Sequence, residues 1–161
     1  MARSWVFLTV VLSAQAAWAE PPTAARAPAS AAAPAVRVER AWSRATPPGA
    51  RAGAGYLTLV NSVDAADRLL SASSTVAGVT EVHEMSMTGG VMRMRHLADG
   101  LVVPARGSVA LAPGGTHLMF LELRQPLVAG QVVRVQLRFE RAGVVPAELR
   151  VEPIGSKGPA R

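Results

Sequence analysis

Short runs of alternating apolar and polar residues fill the chain from Val36 to about Ile154, and Pro and Gly separate them. A period of two predicts strands with one buried face, and no helical period of comparable length occurs. So many short strands indicate a two-sheet antiparallel sandwich or a barrel. The nine predicted strands are Val36 to Trp42, Gly53 to Asn61, Asp67 to Ala72, Gly78 to Met87, Val91 to Leu97, Ser108 to Leu111, His117 to Leu123, Val132 to Glu140 and Pro146 to Glu152.

The amino-terminal region has a different texture. Arg3 precedes an apolar run that begins at Trp5 and ends at Ala17-Trp18-Ala19, which is typical of a cleaved secretory signal. The alternative is a membrane anchor, but the apolar run is shorter than the ~20 residues that cross a bilayer. The predicted boundaries are a signal peptide over 1–19, a Pro- and Ala-rich linker over 20–35, a folded domain over 36–154 and a disordered tail over 155–161.

Charge and cysteine content narrow the function classes. The formal net charge is +6, and loss of residues 1–19 would remove one basic residue, Arg3, and no acid, which leaves +5. The basic residues are dispersed without interleaved aromatic residues, so a nucleic-acid partner is not expected. The absence of cysteine excludes disulfides, thiolate metal sites and a lipid anchored on cysteine. These features predict a protein that is free in an oxidising compartment, with no membrane span once the signal is cleaved.

Methionine and histidine are concentrated in one part of the chain. All three histidines and every methionine except Met1 lie between His83 and Met119. Taken singly, a methionine is usually a core filler and a histidine a half-exposed polar residue, so a functional interpretation depends on their arrangement. The residues are His83, Met85, Met87, Met92, Met94, His96, His117 and Met119.

A Gly-Gly pair at residues 89–90 predicts a tight hairpin in the middle of this region, because both glycines tolerate positive φ. A two-residue turn sets the register of the hairpin, and side chains at every second position then share a face. On one face, His83 is predicted opposite His96, Met85 opposite Met94, and Met87 opposite Met92. The other face carries charged and polar side chains, namely Glu84, Ser86, Arg93 and Arg95.

His117 and Met119 are two residues apart, so they lie on the same face of a further strand. Thioether sulfur favours Cu(I), and imidazole accepts copper in both oxidation states. Zinc would require cysteine, more histidine or a carboxylate, and calcium or magnesium would require grouped carboxylates. The predicted ligand set therefore selects copper, as Cu(I) and, as a second option, Cu(II).

Two stretches of the chain resemble the periplasmic copper chaperones of the PCu(A)C type. The first is Ala41-Trp42-Ser43-Arg44-Ala45-Thr46-Pro47-Pro48-Gly49 with Gly53-Ala54-Gly55-Tyr56, and the second is a His, ten residues, Met, a spacer and His-x-Met. The spacer has twenty-two residues where the family has twenty-one, and we expect the loop region between Ala98 and Gly107 to absorb the insertion. The resemblance covers nearly all of Val36 to Ile154. It implies a cupredoxin-like Greek-key β-sandwich and a four-coordinate copper site formed by His83, Met94, His117 and Met119.

The same resemblance implies a chaperone without catalytic activity. Its partners would be the copper ion, the cytochrome c oxidase subunit that carries the binuclear copper centre, and a Sco-type thioredoxin-fold chaperone. The pattern leaves Met85, Met87, Met92 and His96 unassigned, either as spare ligands that help an acceptor to replace ligands stepwise or, for the three methionines, as a hydrophobic rim that docks the partner.

Three other classes of protein are alternatives to a chaperone. A blue-copper electron-transfer protein would need a cysteine thiolate. A copper oxidase or monooxygenase would need a substrate pocket, and no nucleophile and base occur at recognisable spacing. A non-catalytic interaction or adhesion module with incidental methionines remains as the alternative function.

Overall fold

The computed structural model describes residues 34–159, so the predicted signal peptide and nearly all of the predicted linker lie outside the described residues. Ten strands and no helix make up this range. In chain order they are β1 (Val36–Arg44), β2 (Ala52–Asn61), β3 (Asp67–Ser74), β4 (Ala77–Thr88), β5 (Val91–His96), β6 (Leu101–Val103), β7 (Ser108–Leu111), β8 (His117–Leu123), β9 (Val132–Phe139) and β10 (Val144–Glu152).

The nine predicted strands are confirmed, with ends that differ by two residues at most. The sequence prediction missed β6, which pairs with β3 inside the region expected to be a loop. A strand of three residues offers too little alternation to be recognised from its sequence. Within residues 34–159 there is no helix with the length and hydropathy needed to span a membrane.

The strands form one hydrogen-bonded ladder in the order β5-β4-β8-β2-β1-β10-β9-β3-β6, and β7 pairs with β2. The all-β sandwich is confirmed, but the ladder is mixed because β1 and β10 run parallel. The two halves of the ladder face each other across a single aliphatic core, to which Leu118 and Phe120 contribute from β8 and Val135 and Leu137 from β9. Burial of each such side chain contributes roughly 1.5–3 kcal/mol to folding.

An irregularity in β1 decides which way its second half faces. Three steps along β1, from Glu39 to Trp42, are matched by only two along β2, from Thr58 to Tyr56, and Arg40 between them has a φ of 51°. One extra residue in a strand shifts the alternation of its side chains. Trp42 therefore lies beside Tyr56 on the outer face, although Val36 and Val38, an even number of residues away, contact the core.

The tail that was predicted to be disordered is described as far as residue 159. Arg44 Nε donates a hydrogen bond of 2.8 Å to the carbonyl oxygen of Ser156. This bond joins the tail to the end of β1, close to the outer face that carries Trp42.

Candidate metal centre

The β4–β5 hairpin has the predicted register. His83 pairs with His96, Met85 with Met94, and Met87 with Met92. The turn is formed by Gly89 and Gly90, with φ angles of 59° and 76° that a side chain would disfavour. All six side chains therefore share one face of the hairpin.

β8 places the second group of candidate residues against the first. His117 pairs with His83 on the side of β4 opposite to β5, so three histidines form a row across three neighbouring strands. The imidazole centroids of His83 and His117 are 6.3 Å apart, and those of His83 and His96 are 5.6 Å apart. His117 is buried, His83 is half-buried and His96 is exposed.

The two predicted methionine ligands flank this row on opposite sides. Met119 pairs with Glu81 on β4 and is half-buried, whereas Met94 pairs with Met85 and is exposed. Each methionine is thus a diagonal neighbour of His83, at a backbone separation that a long side chain can span. The structure brings the four predicted residues onto adjacent strands and onto the same face, with Met85 next to both Met94 and His83.

The hydrogen bonds of the two central histidines assign their tautomers. His83 Nε2 lies 2.8 Å from a carboxylate oxygen of Glu81, and His117 Nδ1 lies 3.0 Å from the carbonyl oxygen of Gly115. Both partners are acceptors, so these nitrogens carry the protons and donate. In the neutral form of each ring, which is the form that binds a metal, the lone pairs are on His83 Nδ1 and His117 Nε2.

The free nitrogen of His83 is a direct sign that the site fits a metal. Nδ1 is buried and has no hydrogen-bond partner in the described part of the chain. A buried polar atom without a partner is costly and rare in a folded protein. A ring whose other nitrogen donates to a carboxylate or a backbone carbonyl is also the usual arrangement of a metal-ligating histidine.

The donor set determines which metal could bind. Across residues 34–159, no three His, Asp or Glu side chains are grouped closely enough to hold a metal ion. A metal bound to the two histidines would therefore take its remaining ligands from methionine sulfur. Two imidazoles with thioethers favour Cu(I) over zinc, calcium or magnesium.

An aromatic wall closes the inner side of the site. Tyr56 lies 6.4 Å from His117 and Trp42 lies 4.6 Å from Tyr56, measured between ring centroids. The guanidinium carbon of Arg44 lies 5.7 Å and 5.6 Å from the Trp42 and Tyr56 centroids. Burial raises the pKa of the Tyr56 hydroxyl, and the charge of Arg44 opposes this rise. Tyr56 and Trp42 thus flank His117 on the side of the site that lies away from β5.

Sequence reasoning missed the roles of Glu81, Gly115 and this wall. The position of Glu81, two residues before His83 on the same strand, could have indicated a carboxylate beside the ring. The contacts of Tyr56 and Gly115 depend on the pairing of β8 with its neighbours, for which the sequence holds no local signal.

The protein is a β-sandwich whose outer face brings histidine and methionine side chains together from neighbouring strands. A family model described as "Putative lipoprotein LpqE-like" matches residues 36–151, and the chain belongs to this family, which is of the PCuAC type. The chain is also 33% identical over 117 residues to the "Putative lipoprotein Lxx21020" of Leifsonia xyli subsp. xyli (strain CTCB07), an alignment that covers 73% of this chain and 69% of the relative.

Solved structures share the fold. A copper-bound PCuAC domain from PmoF2 has a TM-score of 0.62 and 27% identity, with 74% of this chain and 93% of that domain covered. The Cu(I) form of DR1885 from Deinococcus radiodurans has a TM-score of 0.60 and 28% identity, with 76% of this chain and 81% of that protein covered. These similarities confirm the predicted cupredoxin-like sandwich.

Proposed function

We propose that this protein is a copper chaperone that carries one Cu(I) ion as cargo on His83, Met94, His117 and Met119. The observation that carries the proposal is the buried, unpartnered Nδ1 of His83 beside His117, on a face that also presents methionine sulfur. The copper-bound PCuAC domain and the Cu(I) form of DR1885 support the choice of metal.

The arrangement suits transfer rather than catalysis. The imidazoles lie on the inner side against the aromatic wall, while Met94 is exposed on the edge strand β5. An acceptor can therefore replace the exposed thioether first and the histidines last, so that copper is never free. The bound ion would stay Cu(I) throughout, and Cu(II) would be held chiefly by the imidazoles.

We further propose that the recipient is the cytochrome c oxidase subunit that carries the binuclear copper centre, with a Sco-type thioredoxin-fold chaperone as a second partner. The PCuAC family assignment supports this direction of delivery. The description of the family and of the relative as lipoproteins supports export, and the signal-like residues 1–19 support the periplasm. Since this sequence has no cysteine, a lipid on cysteine would have no attachment point in it.

The testing experiment is an anaerobic Cu(I) titration of the protein against a competing chromophoric chelator, repeated on a Met94→Leu, Met119→Leu variant. Leucine conserves volume and removes only the sulfur. We expect tight binding of one ion by the native chain and a loss of at least about tenfold in affinity in the variant, since soft sulfur ligands select Cu(I). Val144→Ala, an exposed change on β10, is the control and should bind as the native chain does.

Weak binding that the two methionine substitutions do not alter would overturn the chaperone proposal. It would favour the alternative, a non-catalytic interaction module without a specific metal. That alternative also predicts that His117→Ala changes no binding property, whereas the chaperone proposal predicts the loss of a central ligand.

A further inference from the structure

The tip of the β4–β5 hairpin projects beyond the rest of the ladder. β4 pairs with β8 as far as His83, and from there to Thr88 it pairs with β5. In the described chain, the backbone link from this projecting part to another strand or loop is the hydrogen bond of Met85 N to Gly115 O, at 3.3 Å. The tip is thus a two-stranded ribbon with both faces open.

Two methionines on the ribbon are strongly exposed. Met87 and Met92 have 67% and 61% of their surface accessible, which rules out a role as core fillers. The reverse face of the ribbon carries Ser86 and Arg93, so the sulfur side chains are confined to the face that also carries His83.

The hydrogen-bond pattern brings these side chains close together. Leu97 N donates to Val82 O at 2.9 Å, so residues 82 and 97 form a hydrogen-bonded pair. Pairs alternate along an antiparallel ladder, so the Met85–Met94 and Met87–Met92 pairs are both of the non-hydrogen-bonded kind. In such pairs the Cα atoms are only about 4.5 Å apart and the side chains are closest.

We propose that Met85, Met87 and Met92 form a second, outer Cu(I) site of three thioether sulfurs at the tip of the hairpin. The proposal rests on the proposed function, namely that Cu(I) binds at an inner site formed by His83, Met94, His117 and Met119. Cu(I) prefers soft sulfur ligands, and a thioether has no proton to lose on binding. Three neutral thioethers can therefore hold this ion. The outer site binds more weakly than the inner site, since it is exposed to water and has no imidazole.

The position of the outer site indicates what it does. Met85 is the neighbour of both Met87 on its own strand and Met94 across the hairpin. An ion at the tip therefore reaches the inner site by exchanging one thioether for the next, from Met87 and Met92 to Met85 and then to Met94. Copper enters and leaves along this row of sulfurs while it remains Cu(I).

The test is an anaerobic Cu(I) titration of the protein carrying methionine labelled with carbon-13 in the methyl group, followed by NMR. The first equivalent is expected to shift the Met94 and Met119 methyl signals, and the second those of Met85, Met87 and Met92. A Met87→Leu, Met92→Leu variant should keep the first equivalent and bind the second at least about tenfold more weakly. Val91→Leu, another apolar change at the exposed tip, should bind both.

Different failures have different meanings. If the second equivalent leaves the Met87 and Met92 signals unshifted, or binds the double variant as tightly as the native chain, the outer site does not exist. If the first equivalent shifts only the tip methionines, the proposed ligand set of the inner site is wrong, and the tip is not a second, weaker site. If no equivalent shifts any methionine signal, both proposals fall.

Discussion

The carboxylate of Glu81 accepts a hydrogen bond from His83 Nε2 at 2.8 Å, and this contact leaves the buried Nδ1 of the same ring without a partner. Glu81 also pairs across the ladder with Met119. Glu81 thus orients the ring of His83 and lies next to Met119, a proposed sulfur ligand. The contact makes Glu81 a positioning residue of the proposed copper site.

Glu81→Ala should weaken Cu(I) binding by about 10- to 100-fold, the usual effect of removing the hydrogen-bond partner of a metal-ligating histidine. Competition with a chromophoric chelator measures the affinity. Glu84→Ala is the matched control, because Glu84 lies on the opposite face and pairs with Arg95. Equal affinities for Glu81→Ala and Glu84→Ala would contradict the role of Glu81. In NMR spectra of copper-free Glu81→Ala, a shift confined to the His83 ring signals would indicate a change of ring orientation, whereas unfolding would shift signals throughout the protein.

Tyr56 is the single tyrosine of the chain, so its titration can be followed directly by ultraviolet absorbance of the tyrosinate. Burial raises its pKa above the ordinary value of 10.0, and the positive charge of Arg44 lowers it in part. Arg44→Ala should therefore move the pKa of Tyr56 further upward. Arg138→Ala, an exposed change on β9, should leave it where it is. A fall in the pKa of Tyr56 on loss of Arg44 would contradict the arrangement over the aromatic wall.

Asp67 should make stability depend on pH in the acid range. Burial acts to raise the pKa of its carboxyl, but hydrogen bonds from the backbone amides of Arg141, Arg68 and Ala142 outweigh it and hold the pKa below the ordinary 3.8. A carboxyl whose pKa is lower in the folded state stabilises the fold above its unfolded pKa, and the effect is lost as pH falls through the folded value.

In urea titrations near neutral pH, Asp67→Asn should accordingly lower the free energy of unfolding by about 1–3 kcal/mol, because the buried backbone amides lose a charged acceptor. Below about pH 4 the free energy of unfolding of the native chain should fall, and its difference from that of Asp67→Asn should shrink. Asp64→Asn is the comparison, because its carboxylate lies on the surface and pairs with Arg106. A difference between Asp67→Asn and the native chain that is constant down to pH 2 would be evidence against this account.

Gly55 allows the two halves of the sandwich to approach beneath the site. A Cβ at this position would lie 2.7 Å from Leu149 Cδ2 and 3.0 Å from Phe120 Cε2, both inside the core. Gly55→Ala should therefore destabilise the protein by about 1–3 kcal/mol, as other overpacked cores do. Gly155→Ala, where a Cβ would meet nothing within 4 Å, should be neutral in the same denaturant titration. Similar stabilities would mean that the core relaxes around the new methyl group.

The hairpin is the part of the candidate site that the sequence predicted completely. Gly89 and Gly90 form a turn of two residues, and a turn of this length sets the register of both strands by itself. The opposition of His83 to His96, and of Met85 to Met94, follows from that turn and from the period of two. No distant part of the chain is needed, which is why the prediction was confirmed in full.

The meeting of His83 with His117 could only be decided by the tertiary structure. β8 begins twenty-one residues after β5 ends, and its place beside β4 depends on the packing of Leu118 and Phe120 into the shared core. The tautomers of both rings then follow from partners that this packing supplies, Glu81 and Gly115. The resemblance to the PCu(A)C family implied the same copper ligands, but it gave no physical reason why these residues lie close together.

The sequence by itself therefore determined nine of the ten strands, the hairpin register and the sharing of a face by its histidines and methionines, because turns and alternation act over a few residues. The tertiary structure alone decided the order of the strands, the parallel pairing of β1 with β10, and the bulge that moves Trp42 from the core side to the site. These depend on contacts between residues far apart in the chain, whose energies arise only when the two halves of the sandwich pack together.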